Sequence, residues 1–280
     1  VWDTARADHL SVYGYGRPTT PNLERLAARS VVFERASSPG IWTLPAHASL
    51  LTGLLPADHG IRDNVGYSLD VGNGGNGGRS GKGETPYLPK ILKNRGYATG
   101  GAVASHVLRG KTGLATAFDF YEDSIEFRTD RGLGGLQRPG GETLRLSSDW
   151  LKSAAGPSGK KPFFFFFHIY EPHTPYDPPE PFASRYESKY DGEVAAADRI
   201  VGDLLAELKR LEVYDEALIV LLSDHGEGLG EHGEEEHARD RERGVPANEA
   251  RIEWASRGAA DQVRDYHEQG GDHASPDEKP

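Results

Sequence analysis

The chain has 280 residues, enough for a buried core in one or two domains, and 35 glycines and 18 prolines against 36% hydrophobic residues make it rich in loops. Its formal net charge of −11 argues against a nucleic-acid partner, which needs clustered lysine and arginine, and is compatible with a site for a divalent cation. No apolar run approaches the roughly 18 residues of a membrane span, and the absence of cysteine excludes disulfides, thiolate metal ligands and a cysteine nucleophile.

The chain opens Val1-Trp2-Asp3 with no methionine anywhere, which reads as the end of a first strand on a processed or truncated start. Thr20 can cap a helix, Pro21 suits its first position, and Leu23, Leu26 and Ala27 give it an apolar stripe. A second helix is expected from near Pro45 to Gly53. Residues 72–83 form a flexible Gly-rich insertion, too plastic to read for specificity. A helix over Tyr87–Asn94 and a short strand over Ala98–Ala104 follow, then a loop over 122–142 and a helix over Leu144–Ala154. Phe163–Tyr170 is a continuous apolar run, the pattern of a strand covered on both faces in a largely parallel sheet. Beyond a Pro-dense loop from Glu171 to Pro181, Tyr190–Leu211 keeps a helical period through Val194, Ala197, Ile200, Val201, Leu204, Leu205 and Leu208. Ala217–Leu222 reads as a second buried strand. Residues 238–280 are polar and nearly aperiodic, a disordered tail or the product of a break in the sequence. Alternating strands and helices define an α/β class, in which ligands sit beyond the carboxyl ends of strands.

Four pieces place chemistry at such ends. Asp3 closes the first strand, as a ligand-facing carboxylate or a turn residue. Asp224-His225 closes another, offering one oxygen and one nitrogen to a cation, or forming an acidic solvated loop with Glu227 and Glu231. Thr43 stands at the mouth of a helix, where a hydroxyl is an N-cap or a nucleophile and where free amides favour an anion. His168 and His173 bracket a stiff Pro-rich segment, and at least one of their rings should face the same crevice, unless the segment is only a structural turn.

Taken together and in order, Asp3-Thr4-Ala5-Arg6-Ala7-Asp8-His9-Leu10, the stretch from Thr43 to Gly53, Glu171-Pro172-His173-Thr174-Pro175-Tyr176 and Ser223-Asp224-His225-Gly226-Glu227 resemble the sulfatase family of the alkaline phosphatase superfamily. Thr20-Pro21-Asn22-Leu23, Pro56 with His59-Gly60, Gly113-Leu114 and Phe118-Asp119 support the resemblance, which covers residues 1–237 as a catalytic core. It implies a mixed, mostly parallel sheet sandwiched by helices and truncated at one or both ends. It places one divalent metal on Asp3, Asp224, His225 and the Thr43 oxygen. Calcium is expected on family grounds, and an oxygen-rich site with one histidine also admits magnesium, manganese or zinc.

The resemblance gives His173 a catalytic role at the ester or its leaving group and sets His47 where many sulfatases carry arginine beside the nucleophile. His237 falls near a later active-site base. The implied activity is hydrolysis of a small-molecule, glycan or lipid-headgroup ester of sulfate or phosphate through a covalent intermediate on Thr43, with His47 and the helix N-terminus stabilising the equatorial oxygens. A phosphoryl-group transferase and an inactive metal-binding fragment are the alternatives. Two positions depart from the pattern. Thr43 stands where the family has the cysteine or serine converted to formylglycine, and its methyl-bearing Cβ cannot become that aldehyde. Thr4 stands where many sulfatases have a second aspartate, for which Asp8 is a poor substitute.

Overall fold

The computed structural model describes residues 1–72, 85–125, 137–155 and 161–231. Nearly all of the Gly-rich insertion, the middle of the 122–142 loop, His237 and the polar tail lie outside them. Val1–Glu227 forms one compact unit, and Gly228–Pro280 a second, of which only residues 228–231 are described.

The first unit alternates helices and strands: α1 Pro21–Ala27, α2 Thr43–Thr52, α3 Pro56–His59, α4 Leu88–Asn94, β1 Ala98–Ala102, β2 Phe120–Glu122, α5 Gly140–Ala155, β3 Phe163–Phe167, α6 Phe182–Arg185 and α7 Lys189–Arg210. The strands pair in parallel in the order β2-β1-β3, with Gly100 opposite both Phe120 and Phe165. Backbone bridges widen this sheet. Trp2 pairs in parallel with Ile169 beyond β3 and, on its other side, with Ser223. The Asp3 N–H donates to the Ile169 carbonyl at 3.1 Å, and the Trp2 N–H donates to the Leu222 carbonyl at 2.9 Å. The chain segments carrying Asp3, His168 and Asp224 therefore end side by side, pointing the same way.

Period-2 alternation in β3 sorts its phenylalanines onto two cores. On one face Trp150 of α5 stacks on Phe120 and Phe165 at ring separations of 5.8 and 5.5 Å. On the other, Phe166 joins Leu44, Ala48 and Leu51 of α2 with Tyr87, Val103, Leu108 and Leu114 in a buried cluster. Each large side chain so buried contributes about 1.5–3 kcal/mol. The small residues of β1 make room for both layers: a Cβ on Gly100 would lie 2.5 Å from the Trp150 ring.

Several elements differ from their sequence expectation for identifiable reasons. Helix α2 begins at Thr43 rather than Pro45, with Trp42 at its N-cap and Pro45 inside the first turn, where no amide hydrogen bond is forfeited. Helix α5 begins at Gly140, a turn before Leu144, because the buried Glu171 carboxylate accepts the Gly140 N–H at 2.9 Å. Thr20 does not cap α1. Its hydroxyl is spent on Ser11 and the Val12 N–H, and Asp198 of α7 caps instead, accepting the Asn22 and Leu23 amides at 2.9 Å each. Ala217–Leu222 is not a buried strand. It runs along the sheet edge without forming a ladder, with Leu218 92% and Val220 69% exposed.

Helix α7 keeps its apolar stripe but also turns three carboxylates inward. Asp198 holds α1. Asp191 accepts from His9 Nδ1 at 2.7 Å and the Tyr15 hydroxyl at 2.8 Å. Glu193 accepts the Asp177 N–H at 2.8 Å, fastening the Pro-dense loop. Burial pushes the Glu193 carboxyl up to about 7, against the pull of the Asp177 amide.

Gly100→Ala should destabilise the fold by about 1–3 kcal/mol through overpacking against Trp150, read as a lower urea midpoint at unchanged slope. Glu193 sets a pH signature. Between the ordinary carboxylate range and about 7 the folded chain keeps a proton that the unfolded chain releases, so the Glu193 contribution to stability falls as pH rises through that interval. Glu193→Gln keeps an acceptor for Asp177 without the charge. Its Tm should fall less than that of the parent between pH 5 and 7, and equal slopes would count against a buried, proton-retaining Glu193.

Candidate active site

Strand ends and one helix start converge on a single pocket. Asp3 and Asp224 are buried there, Thr43 opens α2 beside them, and His225 follows Asp224. The Thr43 hydroxyl lies 3.3 Å from His225 Nε2. That nitrogen stands 3.7 Å from Asp3 Oδ1 and 3.5 Å from Asp224 Oδ2. One ligand atom each from Asp3, Asp224 and His225 fits within 4.8 Å of the others. Four sequence-predicted residues, far apart in the chain, are thus brought together.

Hydrogen bonding fixes the state of each group. Asp224 Oδ1 accepts the Thr4 N–H at 3.1 Å and the His225 N–H at 2.8 Å, which leaves Oδ2 turned into the pocket. Among the described residues Asp224 Oδ2 and both Asp3 oxygens are buried without a hydrogen-bond partner, and no lysine or arginine pairs with them. Burial pushes both carboxyls up, and at Asp224 the neighbouring Asp3 charge adds to the effect. His225 Nδ1–H donates to the Gly226 carbonyl at 2.9 Å, which turns Nε2 toward the carboxylates. Orphaned carboxylate oxygens and an imidazole nitrogen converging on one point are a donor set that fits a divalent cation. The residues present fit such a group.

His47, expected to help stabilise the equatorial oxygens of the ester, carries no charge here. His47 lies fully buried on α2, its Nδ1–H donates to the Thr43 carbonyl at 2.7 Å, and desolvation lowers its pKa to about 3. It is a neutral ring 3.6 Å from Asp224 Oδ2. The anion-holding amides expected at the start of α2 are also fewer. The Leu44 N–H goes to Asn64 Oδ1 at 2.8 Å, Pro45 has none, and the Ala46 N–H goes to the Trp42 carbonyl at 3.0 Å. Among the described residues the Thr43 amide is what that turn still offers.

Of the two histidines that bracket the Pro-rich segment, His168 is the one buried against a carboxylate. Its Nδ1 accepts the Ala104 N–H at 3.3 Å, so the proton sits on Nε2, 3.5 Å from Asp3 Oδ2. Burial keeps it neutral, with a pKa of about 3. His173 sits nearer the surface. Its Nδ1–H donates to the Thr174 carbonyl at 2.5 Å and its ring packs on Tyr170 at 4.5 Å, leaving Nε2 on the solvent side. Its charge reaches Asp3, whose carboxyl it pulls back down. Sequence reasoning did not single out Asn64, nor Glu227 as the acceptor of the Thr174 N–H at 3.2 Å. The Asp-Asn pair ahead of Val65 was the available signal for a capping side chain.

The turn after Asp3 is strained. Thr4 is buried with φ 56°, a left-handed conformation that costs a β-branched residue about 1–3 kcal/mol. Thr4 is the position that departs from the family pattern.

Solved structures define the class of fold. A protein in the alkaline phosphatase superfamily from Vibrio parahaemolyticus superposes with a TM-score of 0.63 at 18% identity, covering 82% of this chain and 54% of that one. The phosphonate monoester hydrolase of Agrobacterium radiobacter does so with a TM-score of 0.63 at 19% identity, covering 82% and 62%. The sheet with helices on both faces therefore has the same fold as these proteins. Within it, the sequence profile described as Sulfatase matches residues 1–268, and the chain belongs to the sulfatase family. Human arylsulfatase A is 24% identical over 259 residues, covering 78% of this chain and 49% of that protein. The arylsulfatase of Clostridium perfringens is 23% identical, covering 82% and 62%. The chain spans about half the length of the curated relatives it matches.

Proposed function

We propose that this chain carries the catalytic core of a metal-dependent hydrolase of sulfate or phosphate esters that forms a covalent ester on Thr43. The observation that carries the reading is the Thr43 hydroxyl held 3.3 Å from His225 Nε2, in the pocket that holds the orphaned oxygens of Asp3 and Asp224. Asp3, Asp224, His225 and the Thr43 oxygen would hold the cation. Bound there, it would favour the alkoxide of Thr43 and neutralise charge on the ester.

The protein's own groups supply the rest. Thr43 Oγ1 attacks the central atom of the ester in line, and the bond to the alcohol oxygen breaks. His173 Nε2 delivers a proton to that oxygen from the solvent side of the pocket. The Thr43 amide donates to an equatorial oxygen, and water then cleaves the threonyl ester. His47 and His168, both neutral, serve as positioning residues, His47 against Asp224 and His168 against Asp3. Because Thr43 cannot become an aldehyde, its ester is resolved by attack at the central atom. That favours phosphoryl over sulfuryl chemistry. The substrate would be a small-molecule, glycan or lipid-headgroup ester.

Calcium, the family expectation, prefers six to eight oxygen ligands, whereas this pocket offers an imidazole lone pair among a few oxygens. That donor set suits manganese or zinc better. Calorimetric titration of metal-free protein should show Mn²⁺ or Zn²⁺ binding at least about tenfold tighter than Ca²⁺. Tighter binding of Ca²⁺ would overturn the preference.

Thr43→Ala should lower turnover of p-nitrophenyl phosphate or sulfate on the order of 10³-fold or more with the fold intact, while Thr43→Ser keeps measurable activity. Equal rates for Thr43→Ala and the parent would remove the covalent mechanism.

A further inference from the structure

The strained turn beside Asp3 is held by a side chain that is not among the ligands. Tyr190, the second residue of α7, donates its hydroxyl proton to the Thr4 carbonyl at 2.8 Å and accepts the Arg6 N–H at 2.9 Å. The phenol thus bridges both ends of the Thr4–Arg6 turn. On the opposite side the Thr4 N–H goes to Asp224 Oδ1 at 3.1 Å and the Ala5 N–H to Ser223 Oγ at 2.9 Å. Tyr190 is itself buried and immobilised edge-on by His9, ring centroids 5.0 Å apart, and by Tyr176 at 5.5 Å. His9 is in turn held by Asp191, the next residue of α7. The whole arrangement bears on one backbone conformation, the left-handed Thr4.

Resting on the reading of Asp3, Thr43, Asp224 and His225 as a cation site, we infer that Tyr190 is a positioning residue for that site. Its hydroxyl keeps Thr4 left-handed and so aims the Asp3 carboxylate. A β-branched residue released from that conformation relaxes toward the extended region. The relaxation would turn the Asp3–Thr4 peptide and withdraw the Thr4 N–H from Asp224 Oδ1. One hydroxyl that touches neither ligand therefore sets the orientation of both carboxylates.

Tyr190→Phe keeps the ring and its packing and removes only the hydroxyl. Mn²⁺ titrated into metal-free full-length chain, well below the unfolding transition, should bind Tyr190→Phe about 10- to 100-fold more weakly than the parent, the usual effect of losing an outer-sphere partner. Thr4→Gly removes the penalty for the left-handed conformation. Alone it should keep parental affinity, and in the double variant it should restore most of what Tyr190→Phe loses. Hydrogen exchange of the Arg6 amide in the metal-free protein should be faster in Tyr190→Phe. Unchanged Mn²⁺ affinity in Tyr190→Phe, or a double variant no tighter than Tyr190→Phe, overturns the inference while leaving the cation site standing. Loss of the native melt in Tyr190→Phe would assign the hydroxyl to fold stability and also overturn it. A parent chain that takes up no Mn²⁺ overturns the site reading, and this inference with it.

Discussion

The structure is organised around two carboxylates forced together out of water. Asp3 and Asp224 end adjacent parallel chain segments, so their approach follows from sheet topology and cannot be relieved by side-chain rotation alone. Like charges at this separation in a poorly solvated pocket repel by several kcal/mol, even at an effective dielectric of about 20. Two of the nearby histidines do not neutralise them. His47 and His168 are held neutral by burial. The unpartnered oxygens that result are what supports the proposed cation site.

Other buried acids of the same chain show what a structural carboxylate looks like here. Asp198 accepts the opening amides of α1, Glu171 the opening amide of α5, Glu193 the Asp177 amide, and Asp191 is met by His9 and Tyr15. Each accepts hydrogen bonds from groups that fold with it. Arg138 does similar work at the other edge, bridging the Glu122 carboxylate at 2.8 Å and the Val103 carbonyl at 2.8 Å. Against that background the unpartnered oxygens of Asp3 and Asp224 stand apart. The contrast separates the candidate site acids from the structural ones by bonding, where burial does not.

Membership of the sulfatase family fixes the scaffold and leaves the chemistry to individual residues. A threonine opens α2 at the position where the family resemblance implies a formylglycine precursor, and its methyl-bearing Cβ leaves an ordinary hydroxyl there. The Thr4 departure has a conformational consequence: a β-branched residue occupies a left-handed position, and α7 supplies the phenol that bonds the turn there.

Local sequence determined the parts that depend on short-range patterning. The helices opened by Pro21 and Leu88, the long period of α7 and the phenylalanine run of β3 were legible because side-chain periodicity and Pro placement act over a few residues. Asp3, Thr43, Asp224 and His225 were legible because ordered motifs at strand and helix ends resembled a known family. Tertiary structure alone decided the rest. Whether Ala217–Leu222 lay buried depended on what packs beside it, and its continuous apolar run could not say. Which group capped α1 depended on a helix 175 residues downstream, whose Asp198 displaced the local cap expected of Thr20. His168 rather than His173 met Asp3, and His47 proved neutral, because tautomer and charge follow from the groups a fold brings within a few ångströms, and no spacing in the chain encodes that.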